Sequence, residues 1–253
     1  MATSSSVRGE ERRSTIIAII ERDGAAQIDA LAADLGVSEM TVRRDLDDLE
    51  VEGLVRRVRG GAIAPSGPRP FGERRTVRPR AKQAIAAKAA TLLPHSGAVA
   101  LDASSTVAAL APALHAHPGL TVATNSWENF TALRPGTSLT PVLIGGELDE
   151  STGSFVGKIA CEAAESMLYQ RFFTSASAVD PTHGSSEGSL AESQIKRSFA
   201  RNSRQLILCV DSSKLDSAAV STAFRLTEVH VMVTDLDPSD PRLERYRELT
   251  DVL

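Results

Sequence analysis

The stretch LGVSEMTVRRDLDDLE, residues 35–50, decides the fold of the amino-terminal part of the chain. Apolar residues recur in it at spacings of four and three, which predicts a helix with one buried face. The residues of this stripe are Val42, Leu46 and Leu49. We expect the helix to run from about 39 to 52, with Ser38 as its N-cap and Gly53 at its end. Gly36 is expected to turn the chain directly before it.

The flanking segments complete a recognisable unit. Residues 10–23 place isoleucines at helical spacing and end before a glycine, and residues 29–35 predict a second, short helix. Between them, AQID is short and compatible with a strand. After the third helix, residues 54–62 form an arginine-rich, β-type run that two glycines close. Two short helices joined by a glycine turn and followed by such a hairpin are typical of a winged helix-turn-helix.

Polar residues at the start of the third helix lie off the buried stripe and can therefore face outward. Arginine can bind a phosphate or recognise guanine through two hydrogen bonds. We therefore expect the turn, the third helix and the hairpin to contact double-stranded DNA. The candidate residues are Ser38, Glu39, Met40, Thr41, Arg43, Arg44, Arg56, Arg57 and Arg59.

A purely structural alternative exists for the two arginines of the helix. Arg43 can pair with Asp47, and Arg44 can pair with Asp48, one turn later. Such pairs contribute only about 0.2–0.5 kcal/mol each, and a base that precedes its acid is in the less favourable order. Intrahelical pairing also leaves the arginines of the hairpin without an explanation.

The charge distribution favours a local contact with a polyanion. The chain has 253 residues and a formal net charge of −4, but residues 53–82 contain nine basic residues and one acidic residue. A mildly acidic protein with one concentrated basic segment differs from proteins that are basic throughout and bind nucleic acid over most of their surface. The sequence thus favours a protein in which one segment contacts the polyanion.

Other features of the composition exclude several classes of protein. The hydrophobic share of 42% is that of a globular protein, and the sequence contains neither a membrane-spanning apolar run nor a secretory signal at its start. Cys161 and Cys209 are expected to be buried free thiols in a reducing cytoplasm. His115 and His117 lack further ligands at a suitable spacing, so neither a metal ion nor a cofactor is expected.

From about residue 81 onward, strand-like and helix-like segments alternate. The predicted strands are 97–102, 120–125, 139–146, 171–180, 205–211 and 228–235. The predicted helices are 82–93, 105–115, 126–133, 159–169 and 190–202. This alternation predicts an α/β fold with a mainly parallel sheet covered by helices on its faces.

Ligands of such folds bind at the carboxyl ends of the strands. Several of the predicted strands end in polar or glycine residues, and a Glu–Lys pair and an Asp–Lys pair follow later in the chain. The candidate effector-binding residues are Asp102, Ser104, Ser105, Thr106, Thr124, Asn125, Ser126, Gly145, Gly146, Glu147, Glu192, Lys196, Asp211 and Lys214. Each element alone also has a simple structural explanation, and the Glu192–Lys196 pair has the spacing of a surface ion pair.

The segment from residue 19 to residue 62 closely resembles the amino-terminal domain of the DeoR family of bacterial transcription regulators. The resemblance rests on the pattern VS..TVRRDL..LE..GL..R..GGA and continues through most of the chain. It implies a winged helix-turn-helix over 8–63, a Pro/Arg-rich linker over 64–80 and an effector-sensing domain over 81–253. The sensing domain is implied to be an α/β fold similar to sugar-phosphate isomerases.

Two stretches depart from the family pattern. Where the family commonly has Gly-Thr-Thr after the aspartate, this chain has Ser104, Ser105 and Thr106. Where a GADGI-like stretch is common, this chain has SASAV over residues 175–179. Hydroxyl groups can still hold a phosphate, but the sugar-facing part of the pocket is expected to differ.

Together these observations predict a regulator that binds an operator as a dimer or tetramer. It is expected to repress a carbohydrate-related operon until a phosphorylated sugar or similar small anion binds. Two alternatives stay open: a ligand-independent DNA-binding protein, and an isomerase-like enzyme fused to a DNA-binding domain. The enzyme is disfavoured because no spacing singles out a catalytic pair among the available carboxylates, which are Asp102, Glu147, Glu192 and Asp211.

Overall fold

The computed structural model describes residues 3–51, 54–63, 71–134 and 138–253. Their contacts divide the chain into two compact units. We call the first the winged unit, which comprises Met1–Pro68 with Thr76–Arg78, and the second the α/β unit, which comprises Arg69–Arg75 with Pro79–Leu253.

The described residues of the winged unit form three helices and a small three-stranded sheet. Its elements are α1 (Thr3–Asp23), β1 (Ala25–Gln27), α2 (Ile28–Leu35), α3 (Glu39–Val51), β2 (Arg56–Val58) and β3 (Gly61–Ile63). Strand β3 lies in the centre of the sheet and pairs antiparallel with both β1 and β2. The first half of the strand-compatible AQID segment, Ala26 and Gln27, thus lies in the third strand of the wing, whereas its second half begins α2.

The predicted helix pattern of this unit is confirmed by its burial. The stripe residues Val42, Leu46 and Leu49 pack with Ile16 and Ile20 of α1 in one apolar core. The turn between α2 and α3 depends on the left-handed backbone at glycine 36, whose φ is 63°. Ser38 caps α3 as predicted, because its Oγ accepts the Thr41 amide at 3.2 Å. The predicted end of this helix, at Gly53, lies outside the described residues.

The stretch predicted as a linker, 64–80, is only partly described. Residues 64–70 lie outside the description, whereas α4 (Phe71–Thr76) and the start of α5 (Pro79–Ala90) are helical. Phe71 is buried, and its ring lies 5.5 Å from the guanidinium carbon of Arg74. The stretch therefore contains ordered helical structure where the sequence suggested only a linker.

The α/β unit is built on a seven-stranded sheet. Its further strands are β4 (Gly97–Leu101), β5 (Leu120–Thr124), β6 (Thr140–Leu143), β7 (Glu147–Asp149), β8 (Ser154–Val156), β9 (Tyr169–Thr174), β10 (Ala178–Asp180), β11 (Gly184–Glu187), β12 (Ser203–Cys209), β13 (Ser221–Phe224), β14 (Val231–Val233) and β15 (Asp251–Val252). Its further helices are α6 (Ser105–Ala108), α7 (Ala111–Leu114), α8 (Trp127–Leu133), α9 (Gly157–Glu165), α10 (Leu190–Arg201) and α11 (Glu244–Arg247).

All seven strands of the main sheet are parallel, in the order β15-β14-β12-β9-β4-β5-β6. From β4 the chain proceeds outward through β5 and β6, and then returns to β9 on the other side of β4. The order of the strands therefore reverses between β4 and β9. In open parallel sheets, ligands bind in the crevice at this reversal, beyond the carboxyl ends of the strands.

Each face of the sheet carries its own apolar core, because successive side chains of a strand point to opposite faces. Ala100, Phe172 and Leu208 belong to one core, which α9 and α10 cover. Leu101 and Phe173 belong to the other, which α5 covers. The mainly parallel α/β fold predicted from the alternating segments is thus confirmed.

Several predicted elements differ from the structure in detail. The strand predicted over 171–180 is two strands, β9 and β10, which belong to different sheets. The helix predicted over 105–115 is two short helices, and that predicted over 159–169 ends at Glu165 because Tyr169 begins β9. The prediction also missed the β7–β8 hairpin, the β10-β11-β13 sheet and β15, whose strands are too short to show a periodic pattern.

The two cysteines are free thiols within the α/β unit. Cys209 is buried as predicted, and burial raises the pKa of its thiol. Cys161 lies on α9 and is only half-buried, because it packs against the margin of the apolar core and not inside it. The expectation of two buried thiols is therefore correct for one of them.

Candidate DNA-binding surface and effector site

The candidate DNA-contacting residues lie on α3, on the turn before it and on the β2–β3 hairpin. Most of their side chains are exposed, and Met40 is 73% exposed despite its apolar character. The exposed members are Ser38, Glu39, Met40, Arg43, Arg44, Arg56 and Arg59. Thr41 and Arg57 are half-buried. An exposed helix start beside exposed hairpin arginines is the arrangement that a major-groove contact requires.

The ion pairs of α3 are not the intrahelical pairs considered above. Arg43 pairs with Glu39, one turn earlier, at 3.3 Å. Asp47 instead pairs with Arg57 of the hairpin at 3.2 Å, and Asp48 lies 3.5 Å from Arg13 of α1. Within the described part of the chain, Arg44 makes no ion pair and its side chain stays in solvent.

Arg57 has a structural role that the sequence pattern did not reveal. Its Nη1 donates to the carbonyl of Arg43 at 3.2 Å, and its backbone amide donates to Oε1 of Glu50 at 2.6 Å. These contacts fasten the hairpin to α3. Arg57 therefore positions the wing, which leaves Arg56 and Arg59 as the exposed arginines of the hairpin.

A second tie holds α1 against α3. The Nε and Nη2 of Arg12 donate to the two carboxylate oxygens of buried Asp45, at 2.5 and 3.0 Å. These hydrogen bonds to Asp45 raise the pKa of Arg12. Asp45 lies in the same acidic run as Asp47 and Asp48. Its role in holding α3 against α1 could not be predicted from this run, because its partner, Arg12, lies on another helix.

In the α/β unit, the carboxylate of Asp102 follows β4 at the reversal of the strand order and is almost fully buried, with 1% exposure. Its Oδ1 accepts the Ser104 amide at 3.0 Å. Its Oδ2 accepts the Thr174 hydroxyl and the Ser175 amide, both at 2.8 Å. Burial alone would raise the pKa of Asp102, but Lys196 and these hydrogen bonds hold it below its usual range. Both oxygens are thus occupied by the protein.

Lys196 lies at the centre of a buried charge cluster. Its Nζ is 3.1 Å from Asp102, 2.5 Å from Glu187 and 2.9 Å from the carbonyl of Ser175. Burial alone would lower the pKa of Lys196, but the surrounding carboxylates, with Glu187 first, raise it overall. The possibility that Glu192 and Lys196 form a surface pair is therefore wrong, since both side chains are buried.

Two further acids border this cluster. Burial raises the pKa of Glu187, although Lys196 partly offsets the effect. Glu187 also accepts the Ser177 hydroxyl at 3.0 Å, and Glu192 accepts the Ser154 hydroxyl of β8. The SASAV stretch thus contributes the Ser177 hydroxyl and the backbone amide and carbonyl of Ser175 to the same cluster.

The end of β5 brings a set of buried polar side chains next to Asp102. Asn125 donates to the carbonyl of Phe155 at 3.0 Å, and Asn129 donates to the carbonyl of Asp102 at 2.8 Å. The side-chain oxygens of both asparagines are buried and accept no hydrogen bond from any residue that the structure describes. The hydroxyls of Thr124 and Ser126 accept the amides of Ser126 and Asn129, each at 3.2 Å, and so shape the turn.

The turn after β4 also gathers two cations. Ser104 caps α6, because its Oγ accepts the Val107 amide at 3.2 Å, and Thr106 is buried beside it. Ser105 accepts a hydrogen bond from Lys82 of α5 at 3.0 Å. Arg74 of α4 donates to the carbonyl of Ala103 at 3.4 Å.

Asp211 and Lys214 follow β12 at the same edge of the sheet. Asp211 is buried and accepts the Ser213 amide at 3.1 Å. Burial lowers the pKa of Lys214, and the nearby charges of Lys196 and Arg74 lower it further, against the opposing effect of Asp211 and Glu187. Lys214 therefore belongs electrostatically to the same cluster.

Three candidates lie apart from this cluster. Glu147 is exposed on the β7–β8 hairpin, and the space around Gly145 is open. Gly146 has a packing explanation, because a Cβ there would lie 2.6 Å from the carbonyl oxygen of Val156 and 2.8 Å from the Cβ of Ala160. The lack of a side chain at Gly146 allows the β7–β8 hairpin and α9 to pack closely, so a bound ligand is not needed to explain this glycine.

Four members of the site were missed by the sequence reasoning: Arg74, Lys82, Asn129 and Glu187. Arg74 lies inside the stretch assigned to a linker, and Lys82 lies at the start of a helix with no apparent ligand motif. Asn129 follows the TNS turn by three residues, a helical spacing that could have suggested it. Glu187 lies on β11, whose strand was not predicted.

Comparison with known proteins agrees with this arrangement. Residues 12–67 match the family described as the DeoR-like helix-turn-helix domain, and residues 77–236 match that described as the DeoR C terminal sensor domain. None of the described helices has the length and apolar character needed to cross a membrane.

Curated relatives match over nearly their whole length. The lactose phosphotransferase system repressor of Lactococcus lactis is 32% identical, over 96% of this chain and 98% of that protein. The glycerol-3-phosphate regulon repressor of Escherichia coli is 28% identical, over 90% of this chain and 91% of that protein. Among solved structures, ribose 5-phosphate isomerase A of Neisseria gonorrhoeae matches 54% of this chain and 53% of that chain at 16% identity, with a TM-score of 0.37.

The two family matches together cover both parts of the chain. In the structure, the first part is a winged helix-turn-helix, and the second is an α/β unit with polar groups at its strand ends. The named relatives are transcription repressors. The chain therefore belongs to the DeoR family of bacterial transcription regulators.

Proposed function

We propose that this protein represses a carbohydrate-related operon and that a phosphorylated sugar, bound at the strand ends of the α/β unit, releases it from DNA. The observation that carries the proposal is the combination of two sites in one chain. An exposed, arginine-bearing helix start suits DNA, and a buried cluster with cationic and carboxylate groups suits a small anionic polyol. Several relatives are named as repressors of sugar-related or glycerol-3-phosphate genes.

The chemistry of the α/β site fits this effector class. Arg74, Lys82 and Lys214 supply positive charge, which a phosphate group requires. The unpaired oxygens of Asn125 and Asn129 can accept sugar hydroxyls. Asp102 and Lys196 hold the strand ends in place, because their charges are occupied by each other and by neighbouring groups.

The proposal includes an assembly and a division of the chain. The protein binds DNA as a dimer or tetramer, since a helix-turn-helix that binds paired half-sites needs two copies. Residues 8–63 bind DNA, residues 64–80 connect the two parts and contribute Arg74 to the effector site, and residues 81–253 supply the rest of that site. Action on an operator places the protein in the cytoplasm. The effector releases DNA only if its affinity differs between the DNA-bound and DNA-free arrangements.

Footprinting on the DNA upstream of the protein's own gene tests the DNA-binding part. We expect a protected, repeated or palindromic site, bound more tightly than random DNA of equal length and more weakly as the salt concentration rises. Equal affinity for the upstream DNA and for random DNA would contradict a role as an operator-specific regulator.

A thermal-shift panel tests the effector part. The panel contains ribose 5-phosphate, glucose 6-phosphate, galactose 6-phosphate and glycerol 3-phosphate, each beside its unphosphorylated counterpart and inorganic phosphate. We expect at least one phosphorylated compound to raise the melting temperature and to displace the operator. If no compound shifts the melting temperature while the operator is bound, the ligand-independent regulator replaces the effector-responsive one.

A further inference from the structure

Helix α4 inserts one charged side chain into the α/β unit. The Nη2 of Arg74 donates to the carbonyl of Thr152, in the turn of the β7–β8 hairpin, at 2.5 Å. Its Nη1 donates to the carbonyl of Ala103, in the turn after β4, at 3.4 Å. The backbone carbonyl of Arg74 in turn accepts the ammonium of Lys82. One residue thus joins α4 to two turns at the strand ends.

The guanidinium of Arg74 is incompletely satisfied. Its Nε is buried and has no hydrogen-bond partner among the described residues. Among the same residues the guanidinium makes no ion pair; its hydrogen bonds go to two neutral carbonyls, and the ring of Phe71 lies 5.5 Å from its guanidinium carbon. Burial lowers the pKa of Arg74, although the more distant carboxylates of Glu192 and Asp102 oppose the effect. Even for a half-buried cation, the lack of a contacting counter-ion is costly, and a bound anion would reduce that cost.

The unsatisfied acceptors lie around the same turn. Asn129 donates to the carbonyl of Asp102, the residue before the carbonyl that Arg74 contacts, and its own Oδ1 is unpartnered. The Oδ1 of Asn125 is the second such atom, and Asn125 is 1% exposed. One unpaired cationic donor and two unpaired acceptors match a ligand that carries both an anionic group and hydroxyl donors.

We propose that Arg74 binds the anionic group of the effector, so that the ligand contacts α4, a segment that the sequence assigns to the linker. This inference rests on the proposed function, because it assumes that the strand-end site takes a phosphorylated polyol. Occupancy of the site then fixes α4 to the turns at Ala103 and Thr152 more firmly than the two carbonyl contacts do alone. The effector thereby acts directly on the segment that follows the winged hairpin.

The matched pair Arg74→Met and Arg75→Met tests this role in the full-length chain. Arg75 is the exposed neighbour on the same helix, so its replacement removes the same charge without the buried contacts. The probe is whichever of ribose 5-phosphate, glucose 6-phosphate, galactose 6-phosphate and glycerol 3-phosphate binds the unaltered protein most tightly, measured by calorimetry. We expect Arg74→Met to raise the Kd at least about tenfold, or about 1.4 kcal/mol, and Arg75→Met to change it less than about twofold.

Limited trypsin digestion separates ligand binding from a purely structural role. Cleavage of the bond between Arg75 and Thr76 reports how firmly α4 is held, and this bond is present in both the unaltered protein and Arg74→Met. Without ligand, we expect Arg74→Met to be cleaved faster than the unaltered protein, because it lacks the two carbonyl contacts of Arg74. At a probe concentration near the Kd of the unaltered protein, we expect the probe to slow cleavage of the unaltered protein only. Equal slowing of both proteins by the probe would assign Arg74 to holding α4 alone and would overturn its role as a ligand.

The remaining outcomes are also decisive. If the probe binds Arg74→Met as tightly as the unaltered protein, Arg74 is not a ligand, while the proposed function stands. If both substitutions weaken binding of the probe equally, the effect is one of net charge, and Arg74 cannot be assigned as a ligand of the anionic group. If none of the four probes binds the unaltered protein, the effector proposal and the role of Arg74 fail together.

Discussion

The two units use positive charge in opposite ways. In the winged unit, Arg44, Arg56 and Arg59 lie in solvent. In the α/β unit, Lys196 is 4% exposed and its ammonium contacts two buried carboxylates. An exposed charge keeps its hydration and costs the fold little free energy, so it stays available to bind a DNA phosphate. A buried charge must be compensated by other groups inside the fold, so its first role is to stabilise the structure.

Charges that can be changed without loss of the fold are therefore expected among the exposed ones. Replacement of an exposed arginine is expected to alter DNA affinity and leave the free energy of unfolding nearly unchanged. Replacement of a buried lysine is expected to alter the fold itself.

The largest effect is expected for Lys196→Met, which would leave Asp102 and Glu187 buried without their counter-ion. The free energy of unfolding should fall by about 3–5 kcal/mol, the cost of breaking a buried ion pair from one side. Urea unfolding, monitored by circular dichroism, measures it.

Lys158→Met is the matched control, because Lys158 is exposed and only faces Glu162 on the same helix, at 3.6 Å. Its effect should stay within about 0.5 kcal/mol. Similar losses for Lys196 and Lys158 would break the distinction between buried and exposed cations in the α/β unit.

A smaller loss is expected for Asp45→Asn, which tests the one well-buried acid of the α3 acidic run. The variant loses the charge-assisted pair with Arg12, and hydrogen bonds to charged groups contribute about 1.5–3 kcal/mol. Urea unfolding of the full chain should show a loss in this range in the transition of the winged unit. Asp48→Asn, at an exposed and longer contact, should change it by less than about 1 kcal/mol; a reversed order would refute the role given to Asp45.

Arg44→Ala sharpens the comparison on the side of DNA. Arg44 is exposed, so its loss should weaken operator binding by about 1–3 kcal/mol in gel-shift titrations while urea unfolding stays unchanged. Arg57→Ala should instead lower both quantities, because Arg57 holds the hairpin to α3. If Arg44→Ala destabilises the fold as much as Arg57→Ala does, exposure is not what separates the two arginines.

The smallest effect is expected for Asp47→Asn combined with Asp48→Asn. These exposed acids lie one turn beyond the helix start and repel phosphates, so their removal should strengthen binding to random DNA more than to the operator. The change should stay below about 1 kcal/mol, as for exposed charges in general. Gel shifts on both DNAs at one salt concentration measure it, and an equal gain on both would count against a role of the acids in specificity.

The sequence predicted the regular parts of both units. Val42, Leu46 and Leu49 define the buried face of α3, and the alternation after residue 81 defines the parallel sheet. These patterns are local: each depends on the spacing of apolar residues within one element. Irregular strands such as β7 and β10, with three residues each, are too short to carry such a pattern.

The sequence predicted the general position of the candidate site but not the contacts between its side chains. Because parallel strands end at one edge of a sheet, Asp102, Asn125 and Asp211 could be grouped from the sequence alone. The contacts of the site could not be predicted in this way, because the residues that meet are far apart along the chain. Lys196 and Asp102 are separated by 94 positions, and Arg74 and Thr152 by 78.

Local sequence patterns are enough to predict that this chain carries a winged helix-turn-helix and an α/β unit with polar strand ends, because periodicity and turn residues act over a few positions. Which charges are available depends on the tertiary structure. Arg57 is fastened to α3, Lys196 is buried among acids, and Arg74 lies among the strand ends with one N–H unpaired. Burial and long-range pairing set the energy of a charge, and neither can be determined from neighbours along the chain.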